Sequence, residues 1–493
     1  MKLQLRGKDI RNIGYPEGPV ISVAITVMEK HYKHSTLKEA LDVLKNILEA
    51  PHDYANDEVL GKIAAALSPK VSPAGGDLEG AAEVSLNNTG VAFNMFGSEH
   101  IEQSTLHQMY AAAKLPVAVA GALMPDAHSG YGLPIGGVLA VENAVIPYGV
   151  GVDIGCRMCL SIFDIDVKDL AGKEKLFTRE LIEATLFGSG AQFKVAEEHE
   201  VMERKEFFEL PLLKGLHGRA WKQLGSSGSG NHFAEFGIVE LKEKDTVLGV
   251  EAGIYVGLLT HSGSRALGAN IAAHYTKIAK QKRRLPQEAA NLAWLNLTEE
   301  AGWEYWLAMN LAGDYASANH HIIHAKIARQ LGRKPVKMVE NHHNFAWMEM
   351  YNGKEVIVHR KGATPAGKDV LGIIPGSMTA PGFIVKGKGQ EASVNSASHG
   401  AGRKMSRTAA LKSVTHNALK EALQKHDVKL IGGGLDEAPF AYKDIEVVMQ
   451  SQKNLVDVLG TFTPKIVRMC GDKPKIHMNK KRLMENDTGV EGE

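Results

Sequence analysis

Cysteine is scarce in this chain: there are three in 493 residues, at positions 156, 159 and 470. So few, so unevenly placed, exclude a disulfide framework and point to a reducing compartment. No second Cys-x-x-Cys exists to close a four-sulfur zinc centre with Cys156-x-x-Cys159, so we expect one metal-binding cysteine and one small core residue. Long apolar runs are also missing. The best, Leu115 to Met124, contains Pro116 and Gly121 and falls short of the ~20 residues that span a bilayer. Up to Tyr15 the chain carries Lys2, Arg6, Lys8, Asp9 and Arg11, without the ~7 to 15 apolar residues of a secretory signal. A soluble cytoplasmic protein with no membrane partner is therefore expected. Charge of one sign is lacking too: the net charge is +1, which removes any bulk electrostatic argument for nucleic-acid binding. Basic residues gather only locally, at Lys280 to Arg284, Arg403 to Arg407 and Lys473 to Arg482, and the first and third read as solvated surface.

What is present is enough apolar matter, 44% of residues, for one large core or two to three ordinary domains. Residues 1–95 read as a partly helical appendage. Thr36-x-x-Glu39 is a capping box, Leu37, Leu41, Leu44 and Leu48 recur at helical spacing, and Pro51 ends the segment. The stretch Ser68 to Gly76 is a loop or hinge. Residues 96–493 read as a single α/β catalytic body with its site on loops at strand ends. Strands are expected at Gly136 to Val145, Val247 to Leu259, Val336 to Val339 and Glu355 to Val358. Helices are expected at Asn270 to Arg283, Glu299 to Lys326 and Ser406 to Lys425.

Several polar, glycine-bracketed segments carry candidate chemistry. In Asp153-Ile154-Gly155-Cys156, a glycine turn separates a carboxylate from a thiol, so that both can converge on one metal, and a thiolate can bridge two. Together with His261, His343 and His399, this hard, soft and borderline donor set suits a first-row transition metal better than magnesium or calcium. Asn231-His232-Phe233-Ala234-Glu235 follows Gly225-Ser226-Ser227-Gly228-Ser229-Gly230. Its amides can approach a phosphate, and Asn231 and Glu235 suit a purine edge; taken alone, the stretch reads rather as a Gly/Ser linker with a surface histidine. His261-Ser262-Gly263-Ser264-Arg265 joins a possible ligand to a guanidinium matched to phosphate. His343 follows the strand expected at Val336 to Val339. His399 is expected just before a helix whose free amides cradle phosphate, with Gly400 and Gly402 letting the backbone close in, and Arg403 and Arg407 on one helix face. There it can attack an α-phosphorus or act as a general base; the alternative is a glycine-capped helix start with surface arginines.

Taken together, these segments closely resemble the RtcB family of RNA-splicing ligases over roughly residues 96–470. The resemblance is carried by Met124-Pro125-Asp126-Ala127-His128, Gly151 to Cys156, Gly230-Asn231-His232-Phe233, His261 to Arg265, His343-Asn344, His359 to Thr364, Pro375-Gly376-Ser377-Met378, Ser398 to Arg407 and Glu437 to Asp444. It implies joining of an RNA 3′-phosphate or 2′,3′-cyclic phosphate end to a 5′-hydroxyl end, with GTP and two Mn2+ ions, in RNA repair or tRNA splicing. It implies that Cys156 bridges the metals, one also held by Asp153 and His232 and the other by His261 and His343, and that His399 becomes guanylylated. Asn231, Glu235, Asn344, Ser377, Gly400, Gly402 and Tyr442 match guanylate-contacting positions, and Arg265 and Arg407 match positions for RNA phosphates. The pattern departs from the family at Arg157, where glycine is usual, which sets a bulky cation beside the metals. It departs again at Gly382, where a serine is usual, and at Met469-Cys470-Gly471, where a Val-Lys-Gly ending with a guanine-binding lysine is expected. A metal-dependent phosphoesterase acting on RNA ends and a non-catalytic RNA-end binder are the alternative functions. An activating protein, the natural RNA and the oligomeric state are not legible.

Overall fold

The computed structural model describes residues 82–471 throughout and, before them, residues 5, 7–15, 19–32, 35–49, 54, 57 and 59–67. The Ser68 to Gly76 hinge and the basic cluster at Lys473 to Arg482 lie outside the described residues. The chain divides into two compact units, residues 1–80 and 81–493.

The smaller unit contains helices Gly7–Asn12, Pro19–His31, Leu37–Glu49 and Gly61–Leu67. Its core gathers Ile10, Ala24, Met28, Leu44, Ile47 and Ile63. The third helix starts as its sequence dictates. Thr36 N–H donates to Glu39 Oε2 at 2.8 Å, and Glu39 N–H donates to Thr36 Oγ1 at 3.3 Å, satisfying two amides that the first turn leaves without partners.

The larger unit is mixed α/β, built on an eight-stranded and a five-stranded sheet. In chain order the strands of the first are β1 (Arg157–Phe163), β2 (Phe233–Leu241), β3 (Gly253–Ser262), β4 (Lys337–His342), β5 (Leu371–Ile374), β6 (Gly382–Gly387), β7 (Lys429–Ile431) and β8 (Val456–Met469). Their spatial order is β4-β1-β3-β2-β8-β6-β5, with β7 parallel to β8. Both faces of this sheet are covered, which explains why β1 is buried along its whole length. Met158, Leu160 and Ile162 pack on one face. On the other, Ser161 meets the long helix Glu300–Leu331, through His324. The second sheet runs Asn344–Tyr351, Lys354–Lys361, Ile135–Val141, Ala118–His128 and Phe93–Met95.

Register brings the candidate ligands together. Arg157 lies opposite both Ser262 and His342, and Phe233 lies opposite His261. Cys156, His261, His232 and His343, each in or next to these pairs, therefore emerge at one edge of the sheet. Behind them, Gly155 closes a turn at φ +69° and lies so near the long helix that an added Cβ would sit 2.8 Å from Gly313 Cα. Only glycine meets both demands.

The helix expected at Ser406 to Lys425 is two helices, Arg407–Ser413 and His416–Lys425. The hydroxyls of Ser406 and Thr415 accept from Ala409 N–H and Ala418 N–H, so each starts its own helix. Gly155→Ala is expected to destabilise the larger unit by about 2–4 kcal/mol, from left-handed strain and overpacking together. Denaturant unfolding checks this, and an unchanged midpoint refutes the close-approach argument.

Candidate metal and nucleotide site

A cavity of about 390 Å³ opens at the ligand-bearing edge of the sheet. Asp153, Cys156, His261, His343 and His399 line it, as do Asn231, Glu235, Asn344, Ser377, Gly400, Gly402 and Tyr442. His232 stands just behind the wall, with Nε2 at 2.9 Å from Asp153 Oδ2 and 3.4 Å from Cys156 Sγ. On the other side of the thiol, His261 Nε2 is 3.1 Å from Cys156 Sγ and 3.2 Å from His343 Nε2. Asp153, Cys156 and His232 thus form one group, and Cys156, His261 and His343 a second, sharing the sulfur.

Two backbone carbonyls set the ring orientations. His232 Nδ1–H donates to Ser227 O at 3.0 Å, and His261 Nδ1–H to Asn231 O at 3.1 Å. Each ring thereby turns Nε2 toward the thiol, the arrangement in which an imidazole is ready to ligate. Burial, with His232 adding to it, pushes the pKa of His261 down to about 3, and burial beside His399 and His261 drives that of His343 well below its ordinary value. Both rings are neutral, and the lone pair on His261 Nε2 faces the sulfur. Burial and neighbouring Asp153 push the Cys156 thiol well up. Burial opposes ionisation of Asp153, but the hydrogen bond from the His232 ring holds its carboxyl below the usual range. The contact of His232 Nε2, its other nitrogen already committed as a donor, with a carboxylate oxygen calls for a positive charge between them. That charge is a second ring proton or a metal ion, and the donor set of carboxylate, thiol and imidazoles fits a transition metal.

His399 lies across the cavity, its ring centroid 4.9 Å from that of His343. It follows the short strand Ser396–Ser398 and stands well before the helix at Arg407. The expectation that His399 sits at a helix N-terminus is therefore incorrect. The amides near it belong to the turn at Gly400-Ala401-Gly402, where Gly402 has φ +72° and an added Cβ would meet Asp126 O at 2.1 Å. A partner not singled out from sequence is Asp126, fully buried on the strand Ala118–His128. Its Oδ2 accepts from His399 Nδ1 at 2.7 Å and from His399 N–H at 3.1 Å. Nδ1 is thus occupied, and Nε2 is the nitrogen left to react. The signal for Asp126 in the sequence was its place in the Met124 to His128 motif.

The Gly/Ser segment before Asn231 is no surface linker: Ser226, Ser227 and His232 are buried. Arg265, expected to meet RNA phosphates, turns inward, donating to Ser226 Oγ at 3.1 Å and Gly188 O at 2.8 Å. Arg407 lines the cavity but is paired with Asp436 and Glu437 at 2.8 and 2.5 Å. Arg403 lies outside the helix and shares Glu437 at 3.1 Å, so the two arginines do not share a helix face. Arg157 is less disruptive than expected, because its guanidinium is engaged by Glu340 Oε2 and Gly313 O, both at 3.1 Å. Gly382 and Met469 line the cavity. Glu235, also on its wall, has its carboxyl pushed well up by burial alone, which favours the protonated form. It can accept from, or donate to, the polar edge of a ligand.

The family model described as tRNA-splicing ligase RtcB matches residues 108–210 and 192–469. The chain belongs to the RtcB family. Among RtcB proteins, the RNA-splicing ligase RtcB of Escherichia coli K12 is 33% identical over 392 residues, 73% of this chain and 93% of that protein. The tRNA-splicing ligase RtcB of Methanococcus maripaludis is 32% identical over 425 residues, covering 71% and 88%. That of Archaeoglobus fulgidus is 32% identical over 419 residues, covering 70% and 86%. In this RtcB protein no helix among the described residues is long and apolar enough to cross a membrane.

Because the Cys156 thiol keeps its proton until a cation displaces it, metal binding should acidify the solution. Cobalt added to the protein at pH 7 in weak buffer is expected to release about one proton for each Cys156 thiolate formed, with affinity rising as pH rises. Cys156→Ser should abolish most of that release, and an unchanged release in this variant would exclude the thiol as a ligand.

Proposed function

We propose that this chain is an RNA ligase that joins 3′-phosphate or 2′,3′-cyclic phosphate ends to 5′-hydroxyl ends, using GTP and two Mn2+ ions. The observation that carries the reading is the placement of His399 Nε2, freed by Asp126, on the same cavity as two ligand groups that share one sulfur. Family membership and the printed names of the relatives support RNA as substrate.

In this reading Asp153, Cys156 and His232 hold one ion, and Cys156, His261 and His343 the other. The ions supply charge neutralisation for phosphates, which is the main requirement of phosphoryl transfer. His399 Nε2 forms a bond to the α-phosphorus of GTP as the bond to pyrophosphate breaks. The activated guanylate then passes to the RNA 3′-phosphate, and the 5′-hydroxyl displaces GMP. Asp126 holds the ring in the tautomer this requires and stabilises the positive charge it acquires, as a buried carboxylate does for other catalytic histidines. Asn231, Glu235, Asn344, Ser377, Gly400, Gly402 and Tyr442 contact the guanylate. A cyclic phosphate end must first be opened by hydrolysis.

Protein incubated with manganese and GTP labelled at the α-phosphate is expected to acquire a covalent, acid-labile label. His399→Ala should abolish it, and Asp126→Asn should slow its formation by about 10²- to 10⁴-fold. A label that persists in His399→Ala removes that residue from its role. Opening of cyclic ends without GTP and without joined product would establish a phosphoesterase. Tight end binding with neither reaction would establish a binder.

A further inference from the structure

A second group of buried histidines lies behind the centre, on the long helix. His320 and His324, one turn apart, face Cys159 and Ser161 of β1 and Thr260 of β3, and all five are at most 1% exposed. Cys159, His320 and His324 come close enough together to resemble a metal site. The hydrogen bonds argue otherwise, because all four ring nitrogens are already engaged. His320 Nε2 is 3.2 Å from Ser262 O and Nδ1 is 2.6 Å from Thr260 Oγ1. His324 Nε2 is 2.8 Å from the same hydroxyl, and Nδ1 is 2.7 Å from Ser161 Oγ.

The direction of this chain follows from its end. A carbonyl only accepts, so His320 Nε2 carries the proton, and in a neutral buried ring Nδ1 is then an acceptor. Thr260 O–H must donate to it, which leaves Thr260 Oγ1 to accept from His324 Nε2–H. His324 Nδ1 then accepts from Ser161 O–H. Every proton is assigned, and no lone pair on either ring is left for an ion.

The Ser262 end of the chain reaches the candidate ligands. Thr260 and Ser262 flank His261, and Ser262 O–H donates to Ser227 O at 3.0 Å, the carbonyl that also orients His232. Beside His320, Asn319 Nδ2 donates to Gly263 O at 2.9 Å, and its Oδ1 accepts from Gly225 N–H at 2.7 Å. One helix face thus grips both loops that present imidazoles to Cys156.

We propose that Ser161, His324, Thr260 and His320 form a directional hydrogen-bond chain that fixes the ligand-bearing end of β3, making His320 and His324 positioning residues for the metal centre. This rests on the reading that Cys156 and its neighbours hold a metal. Cobalt is a suitable probe, because its charge-transfer absorption reports a thiolate ligand.

Thr260→Val keeps the side-chain volume but removes the two central links. It should weaken cobalt binding by about 10- to 100-fold, the usual loss when a group that orients a ligand is removed. Thr260→Ser should restore binding to within about threefold. Tyr315→Phe, which deletes a buried hydrogen bond to Ala220 O elsewhere on the same helix, controls for general loosening and should bind as wild type does. Wild-type protein without the thiolate band removes the metal reading, and this inference with it, before any variant is compared. With the band present, wild-type affinity in Thr260→Val overturns the proposal, as does an equal loss in Tyr315→Phe. A further cobalt ion that disappears in Cys159→Ala would make the two histidines ligands and overturn it too.

Discussion

The centre depends on burying donors at a cost to their ionisation. Three that titrate in water are packed where a charge is costly, so the imidazoles of His261 and His343 stay neutral and the thiol of Cys156 stays protonated. Burying polar atoms in this way is tolerable only when their remaining valences are met. The carbonyls of Ser227 and Asn231 meet one nitrogen of His232 and one of His261. What remains unmet is directed inward, at the place where a cation would satisfy several lone pairs at once. Among the described residues, the buried His343 Nδ1 has no hydrogen-bond partner, and neither do Asp126 Oδ1 and Ser227 Oγ nearby.

Convergence of these donors is a property of the sheet rather than of any loop alone. Antiparallel pairing places the start of β1 against the end of β3, and the end of β4 against the start of β1. Ligands far apart in sequence thus reach one edge without long, costly loops. The turn at Gly155 is then pressed onto the long helix, where the lack of a side chain at 155 allows a backbone contact with Gly313. Basic residues near the cavity are balanced locally: Glu437 answers both Arg403 and Arg407, which leaves less free positive charge at the mouth than the sequence suggests.

Much of this was legible before the structure. Thr36 and Glu39 marked a helix start, and strands near positions 136, 337 and 355 followed from alternation and β-branched content. Asp153, Cys156, His261, His343 and His399 stood out because polar groups beside glycines are poor material for a core. Other features were hidden for physical reasons. Asp126 stood in the Met124 to His128 motif without a role of its own, since its partner His399 lies 273 residues further along the chain. Ser226 and Ser227 suggested a solvated linker because composition does not reveal that a helix will cover a loop. His320 and His324 lay within a helical pattern, where a histidine on an inner face signals nothing by itself. The break at Thr415 was missed because its hydroxyl cap competes with helix continuation in a way that periodicity does not register.

One placement in the sheet bears on how the protein comes into being. β8, the last strand to leave the ribosome among those described, lies in the interior of the sheet, hydrogen-bonded to β2, β6 and β7. It carries Val467 and Met469 to the cavity wall. A nascent chain that has emerged only through His399 holds every candidate ligand yet lacks the strand that joins the two parts of the sheet. Pairing of this kind, between segments distant in sequence, forms late. His399 therefore gains its finished surroundings only once Val456–Met469 has been added and paired between β2 and β6.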